Sequence, residues 1–265
     1  MIDIFLLKLF LSFAIGGSLV TIGTVASEKF GTKIGGVISG MPSTSLVALF
    51  FIGLSQSAFI ASKSTAIIPI VVGVDALFVA VYILLSKINF YFAVSCSLLL
   101  WLVSSLILIL IKFDNFAYSL AGFIIFLAIS YYAIDKKSGI KSESRRNTKY
   151  SFQILLFRGM LSGAIIAISV LLAKLGGPIL GGIFASFPAA YLSTIIITNF
   201  AHGKAFSAAV MKTLMVSGSV NVVAYAISVR YSYPYFGLLY GTLISYFVSL
   251  VSAYFVYLFA IKKMS

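Results

Sequence analysis

The sequence predicts an all-α, polytopic membrane protein with nine transmembrane helices, arranged as two inverted four-helix repeats joined by a fifth, linker helix. Three observations lead to this fold class. The 265-residue chain is 61% hydrophobic and only 9% charged, apolar runs of about 18 residues or more recur along it, and one Gly-Gly-x5-Pro signature occurs twice. Because the bilayer core offers the backbone no hydrogen-bond partners, continuous runs of this kind predict helices rather than open strands.

The predicted spans follow one another along the chain, separated by short polar or basic segments. Each is long enough to cross a hydrocarbon core of about 30 Å at about 1.5 Å per residue. No basic segment precedes the first span, so it is expected to be retained rather than cleaved as a signal. In order, the spans cover residues 4–26, 34–53, 66–85, 90–111, 116–134, 152–173, 179–198, 208–229 and 235–261.

A tandem duplication accounts for the order of these spans. Residues 35–42 and 181–188 carry the same signature at an offset of 146 residues. Held without gaps, this offset also places Asp75, in the middle of one apolar run, on Asn221 in the middle of another. One duplication explains these matches together. A repeat of this length determines the architecture of the whole chain, so it is considered before individual residues.

The duplication divides the chain into three parts. The first four-helix repeat is assigned to residues 1–112, the linker helix with a basic loop to residues 113–150, and the second repeat to residues 151–265. Each repeat contains four spans, so the single span between them makes the second repeat enter the membrane from the opposite side. The two repeats are therefore expected to be inverted.

The basic residues predict the orientation of the chain. With nine spans, one face of the membrane receives five of the 19 lysine and arginine residues and the other face receives fourteen. The positive-inside rule assigns the richer face to the cytoplasm of a plasma or inner membrane. The N-terminus is then outside, and the C-terminus and the loop 135–150 are cytoplasmic. Because the charges lie between apolar runs, the net charge of +13 indicates membrane orientation and no nucleic-acid partner.

The sequence contains no pattern typical of an enzyme or a metalloprotein. One cysteine and one histidine exclude a disulfide framework and an ordinary zinc site. Neither a Ser–His–Asp set nor a phosphate-binding Walker loop is present. We therefore expect no enzyme activity, no cofactor and no metal centre. The expected partners are the lipid bilayer, a small-molecule or lipid-like substrate, and a second copy of the chain.

Two prolines interrupt predicted helices at equivalent positions of the repeats. Pro42 and Pro188 fall near the centres of the second and seventh spans, where each removes a backbone N–H and clashes with the carbonyl group four residues earlier. Small residues precede them, Ser39 and Gly40 in the first repeat and Ser186 in the second. Broken helices at matching positions of inverted repeats predict a transporter site near the bilayer midplane. The alternative is an ordinary kinked helix packed through small residues.

Asp75 is the tenth residue of its twenty-residue span. A carboxylate at this depth costs about 2.5–3.5 kcal/mol on insertion scales, so it must face a cavity, find a partner or be protonated. It could therefore load and release a proton or bind a cation, whereas its repeat mate Asn221 can exchange hydrogen bonds without charge. Ser43, directly after Pro42, could line the same cavity. The alternative is a neutral Asp75 whose hydrogen bond only holds two helices together.

Arg158 lies about two helical turns into the sixth span, close to its predicted cytoplasmic end. A long basic side chain at this position is expected to extend to the membrane surface, where its charge is hydrated. The alternative is a contact with an anion or a lipid headgroup.

Both repeats carry a motif that resembles the small GlpM-like membrane proteins. In the second repeat it reads Ala-Lys-Leu-Gly-Gly-Pro-Ile-Leu-Gly-Gly-Ile-Phe-Ala-Ser-Phe-Pro over residues 173–188, followed by Ser193 and Thr194. In the first repeat it covers residues 27–45, with the same Gly-Gly pair, small residues and proline. The GlpM-like proteins are single four-helix units, so this chain departs from them by fusing two. The resemblance implies an integral membrane protein and no established activity.

These features favour a secondary transporter or a flippase-like carrier of a small or lipid-like solute. Asp75, Asn221 and the backbone around Pro42 and Pro188 would form a midplane site, and rocking of one repeat against the other would open it to each side in turn. Proton or cation coupling would run through Asp75. The alternative is a non-transporting membrane scaffold or envelope-assembly protein, in which the same polar residues only hold helices together.

Overall fold

The structure is a computed structural model that describes residues 4–28, 37–38, 40–138 and 151–261. In this part of the chain the regular secondary structure is helical and contains no strand, which confirms the predicted all-α class. The helices are α1 Ile4–Glu28, α2 Ser43–Ser55, α3 Ala58–Ser64, α4 Ile68–Leu85, α5 Phe90–Leu110, α6 Phe116–Ser138, α7 Phe152–Ala185, α8 Ala189–His202 and α9 Lys204–Phe259.

Six helical segments of the described chain are long and apolar enough to cross a membrane. They are Ile4–Gly23, Ile68–Leu85, Phe90–Leu110, Phe116–Lys136, Phe152–His202 and Lys204–Phe259. These segments identify an integral membrane protein. Because about 20 helical residues already span the hydrocarbon core, the last two segments, with 51 and 56 residues, are longer than one crossing requires. The count of nine spans stays a prediction.

Glycine residues interrupt both of the longest helices. In α7 the backbone at Gly177 has φ 86° and ψ −176°, and in α9 Gly237 has φ 70° and ψ −174°. Residues with a side chain avoid this conformation, so glycine is what permits each kink. The kink at Gly177 falls between the predicted sixth and seventh spans, and the kink at Gly237 lies near the predicted start of the ninth.

The predicted second and seventh spans are not continuous helices. In the first repeat the chain turns before Pro42, and α2 begins only at Ser43. In the second repeat α7 ends at Ala185, and α8 begins at Ala189, directly after Pro188. A proline cannot donate the hydrogen bond that would continue the preceding helix, but it tolerates the start of the next one. Pro188 therefore separates two half-helices, and Pro42 stands at the equivalent position directly before α2.

The short helix α3 lies between the predicted second and third spans and was not predicted. With seven residues it is too short for a helical pattern of apolar positions to be recognised. Ser57 caps it, since its Oγ accepts a hydrogen bond from the Ile60 N–H at 3.2 Å. At the repeat offset Ser57 corresponds to Gly203, which precedes α9. The equivalent of α3 in the second repeat is thus the first part of α9.

Helices α1 and α7 pack against each other in opposite directions. A Cβ atom on Gly17 would lie 2.5 Å from the carbonyl oxygen of Gly159, and one on Gly163 would lie 2.5 Å from the carbonyl oxygen of Phe13. As the residue number falls along α1, the number of its neighbour rises along α7, so the pair is antiparallel. The two contacts are also related by the repeat, because Gly17 corresponds to Gly163 and Phe13 to Gly159 at the 146-residue offset.

Helix α4, which carries Asp75, is the most buried of the long apolar helices. The linker helix α6 packs on one side of it, where the Ile70 N–H donates to Ser119 Oγ at 2.9 Å. Helix α5 packs on another side, where it buries the Trp101 side chain almost completely. This packing holds Asp75 in the interior, at the point where the two repeats meet.

Candidate functional site

The chain is interrupted at Pro42 in the first repeat and at Pro188 in the second, and these two interruptions are called the helix breaks. They lie side by side and line a cavity of about 60 Å³. Asp75 from α4 contributes a carboxyl group to the cavity wall, and Thr44, Ser45 and Tyr191 contribute hydroxyl groups. The residues of the breaks that form the wall are Gly40, Met41, Pro42, Ala185, Ser186, Phe187 and Pro188. Asp75 and both prolines therefore share one cavity, with one break supplied by each repeat.

The breaks have the same backbone geometry. Pro42 has φ −77° and ψ 40°, and Pro188 has φ −74° and ψ 43°. Directly before them, Met41 and Phe187 each donate a backbone N–H to the carbonyl group three residues earlier, at 3.1 Å in both repeats. That carbonyl group is the one that proline deprives of its usual donor. A tight turn thus replaces the lost helical bond, and it does so in the same way twice.

The Asp75 carboxyl group is buried and incompletely bonded. The residue is 5% exposed, and its Oδ1 has no hydrogen-bond partner in the described part of the chain. The Trp101 indole on α5 lies close to this carboxyl group but does not reach hydrogen-bonding geometry, and its Nε1 also lacks a partner. Buried polar atoms are almost always bonded. An unbonded oxygen in a cavity wall is therefore an acceptor that is open to a water, a proton or a cation.

Asn221 on α9 contacts the first break but is not part of the cavity wall. Its side chain is fully buried, and Nδ2 donates to the Gly40 carbonyl group at 3.5 Å. Its Oδ1 accepts from Ser252 Oγ at 3.3 Å, and its backbone carbonyl accepts from Ser249 Oγ at 3.2 Å. These bonds join the first break to α9, so Asn221 positions the break and Asp75 faces the cavity.

The serines near the breaks differ in position. Ser186 is in the cavity wall and donates its hydroxyl proton to the Gly182 carbonyl group at 3.1 Å. Ser45, two residues after Ser43, is also in the wall and donates to the Ala185 carbonyl group of the other repeat at 3.0 Å. Ser43 starts α2 but does not line the cavity, and Ser39 lies outside the described residues.

Two aromatic residues of the site were not predicted. Tyr191 is the repeat mate of Ser45, and its hydroxyl group lies 3.3 Å from Ser219 Oγ on α9. Trp101 comes from α5, a helix with no charged or amide side chain that would have marked it as part of a site. The offset from Ser45 was a signal that could have identified Tyr191, whereas the contact between Trp101 and Asp75 depends on helix packing alone.

Arg158 does not extend to the membrane surface as expected. Its side chain is 3% exposed, and Nη1 donates to Thr194 Oγ1 on α8 at 2.9 Å. The expectation treated α7 as a helix with a free end, but α8 packs against it and supplies the hydrogen-bond acceptor. This part of the prediction is wrong, while a contact of Arg158 with an anion or a lipid stays untested.

Comparison with known families shows that one family model matches the chain twice. The family model described as "Protein of unknown function (DUF3147)" matches residues 9–114 and 155–261. The two matches begin 146 residues apart, which is the offset read from the sequence, and they leave α6 outside. They are consistent with a tandem duplication but do not show a link to the GlpM-like proteins. No curated protein and no solved structure matches the chain.

Proposed function

Since the chain belongs to the DUF3147 family of proteins of unknown function, we propose from the site itself that it is a secondary transporter working by alternating access. The observation that carries this proposal is the cavity between two equivalent helix breaks, one from each repeat, with the unbonded carboxyl oxygen of Asp75 in its wall. A site at the meeting point of two repeats can be opened to either side by moving one repeat against the other.

The proposal requires the repeats to be inverted in the membrane. The antiparallel contact between α1 and α7 supports this, because these helices begin the two repeats and correspond to each other. Contacts that exchange when residues are replaced by their repeat mates are the property of a two-fold relation. In such a pair, exchanging the conformations of the two repeats converts an outward-open state into an inward-open one. The proposed orientation keeps the N-terminus outside and the C-terminus in the cytoplasm of the plasma or inner membrane.

The size of the cavity favours a small solute over a lipid-like one. A cavity measured in this way needs about 10–15 Å³ to hold one water molecule, so 60 Å³ is room for a small ion with a few waters. A lipid headgroup would need a much larger opening between the breaks. We therefore propose a carrier of a small solute and not a flippase.

Alternating access can be tested without knowledge of the substrate. The chain has one cysteine, Cys96, so a Cys96→Ser background allows single cysteines to be introduced. We expect Thr44→Cys, in the cavity wall, to react with a membrane-impermeant maleimide added from either side of oriented vesicles. Ser97→Cys, fully buried and outside the wall, and Asp114→Cys, exposed between α5 and α6, are the controls.

The controls define the result that would overturn the proposal. Ser97→Cys is expected to stay unlabelled, and Asp114→Cys to react from the outside alone. A non-transporting membrane scaffold predicts that Thr44→Cys behaves like Ser97→Cys. Labelling of Thr44→Cys from neither side, or from one side only, would therefore reject the carrier.

A further inference from the structure

We propose that the cavity binds a single, partly dehydrated monovalent metal cation of sodium or potassium size, held by the Asp75 carboxylate and by oxygen atoms of the two helix breaks. This inference rests on the proposed function, because it names what the carrier binds at its central site. It also goes beyond the sequence, which left open whether Asp75 takes up a proton or a cation and named no further ligands.

The charge of the cavity wall selects one positive charge. Among the described residues that line the cavity, Asp75 is the only acidic one, and none is a lysine, arginine or histidine. One carboxylate is neutralised by one monovalent cation, and an anion would be repelled. Within the described residues no group of three or more histidine, cysteine, aspartate or glutamate side chains comes together, so the set that holds divalent and transition metals is missing from this part of the chain.

Two serine hydroxyl groups of the wall already donate their proton and can still accept. Ser45 Oγ donates to the Ala185 carbonyl group at 3.0 Å, and Ser186 Oγ donates to the Gly182 carbonyl group at 3.1 Å. A hydroxyl group has one proton to donate, so its remaining capacity is to accept. Both oxygens can therefore bind a cation without breaking the bonds that they already make. Together with Asp75 Oδ1 they supply neutral and charged oxygen ligands from both repeats.

The backbone at the breaks adds oxygen ligands. Helix α7 ends at Ala185, and the last carbonyl groups of a helix carry the negative end of its dipole. Helices α2 and α8 begin at Ser43 and Ala189, so their positive ends lie at the same breaks and the negative charge of the wall comes from Asp75. Unwound carbonyl groups and half-helix ends at such breaks are suited to small cations. A cavity of about 60 Å³ favours a small ion with a few waters over a bulky organic cation such as choline.

Trp101 is the single tryptophan of the chain and lies beside Asp75, so it reports on this site. We expect its fluorescence in the purified protein to change saturably when NaCl or KCl replaces choline chloride at constant ionic strength and pH. Asp75→Asn should abolish the response, and Asp114→Asn, in an exposed loop, should keep it. Ser45→Ala should weaken the apparent affinity about tenfold, as expected for a lost oxygen ligand of a charged group.

Several results would overturn the inference. They are a wild-type titration that does not saturate, an equal response to choline, an unchanged response in Asp75→Asn, and a response to pH with none to Na⁺ or K⁺. Should Asp75→Asn not fold, an unchanged affinity in Ser45→Ala has the same consequence. If the protein binds the cation saturably but Thr44→Cys never reacts, the cation site is retained and the carrier is rejected. If Thr44→Cys reacts from both sides but no saturable cation binding is found, the carrier is retained and the cation site is rejected.

Discussion

Asp75 and Asn221 occupy equivalent positions of the repeats in different surroundings. The Asn221 amide uses both of its polar atoms, because Nδ2 donates to Gly40 and Oδ1 accepts from Ser252. Asp75 keeps one buried oxygen without a partner. A polar side chain that only holds helices together is expected to satisfy its hydrogen bonds, as Asn221 does. The two repeats thus differ at this position both in charge and in whether the side chain has all its hydrogen-bond partners.

This difference predicts opposite effects of exchanging the two side chains. Without bound cation, Asp75→Asn should leave the thermal unfolding temperature unchanged or raise it, because no described hydrogen bond is lost and a buried acidic group is replaced by a neutral one of the same shape. Asn221→Asp, the matched control, removes the donor to Gly40 and should lower the free energy of unfolding by about 1–3 kcal/mol. Thermal unfolding in choline chloride, followed by circular dichroism, measures both.

The contrary outcome would support the scaffold. If Asp75→Asn destabilises the protein as much as Asn221→Asp does, the Asp75 side chain is a packing contact and not a binding group.

Gly40 is expected to be needed for the close approach of the first break to α9. A Cβ atom at this position would lie 2.7 Å from the backbone nitrogen of Gly218, and overpacking of this kind costs about 1–3 kcal/mol. Gly40→Ala should therefore lower the unfolding temperature. Gly23→Ala is the control, because nothing lies within 4 Å of its Cβ position in α1, and alanine favours a helix over glycine by about 1 kcal/mol. Equal effects of the two substitutions would contradict the close contact.

The sequence identified only those site residues whose meaning is local. A proline, a glycine before it and an isolated carboxylate each stand out within a single apolar run, which is why Pro42, Pro188, Gly40 and Asp75 could be named. Trp101 could not, because its relation to Asp75 arises from the packing of α5 on α4. Sequence periodicity does not specify which two helices are neighbours, so the partners of a buried group are the part that it leaves open.

At the scale of the helices, apolar runs predicted where the chain is helical but not how the helices end. The predicted second and seventh spans are each interrupted at their proline, because the tight turn before it supplies the carbonyl group with another donor and makes a complete break stable. Arg158 was misplaced for a related reason. Its distance from water was judged along α7 alone, without the neighbouring helix α8 that covers it.

The linker helix α6 contributes a hydrogen bond that supports α4. The Ile70 N–H lies in the first turn of α4, where a helix has no internal acceptor, and it donates to Ser119 Oγ at 2.9 Å. Ser119→Ala would leave this buried N–H unbonded, so we expect a loss of about 1–3 kcal/mol in the free energy of unfolding. Thermal unfolding of the purified variant measures the loss.

Ser130, on the same helix, provides the matched control. It is as fully buried as Ser119, but its hydroxyl group has no partner among the described residues. Ser130→Ala should therefore leave stability unchanged or raise it slightly. If both variants unfold alike, the bond between α6 and α4 makes no contribution to holding the helix that carries Asp75.

For the molecule as a whole, the informative contact between the repeats is that of α1 with α7, which has the pattern of a two-fold relation. The pair Gly17 and Gly159 becomes the pair Gly163 and Phe13 when each residue is replaced by its mate. A duplication alone does not require this, since two copies could also pack side by side in the same direction. The odd number of predicted spans and the antiparallel packing of α1 on α7 point to the same arrangement from independent observations.

Inversion predicts that repeat mates lie on opposite faces of the membrane. Gln56 directly follows α2 and His202 is the last residue of α8, and they correspond at the 146-residue offset. In the Cys96→Ser background, Gln56→Cys should react with an impermeant maleimide only from the outside, because it shares a loop region with the sparse basic residues. His202→Cys should react only from the cytoplasmic side, next to the richer basic face. Labelling of both from the same face would mean that the repeats are parallel. Two parallel copies cannot be exchanged through the membrane plane, so that result would remove the basis for alternating access even if the cavity around Asp75 binds a cation.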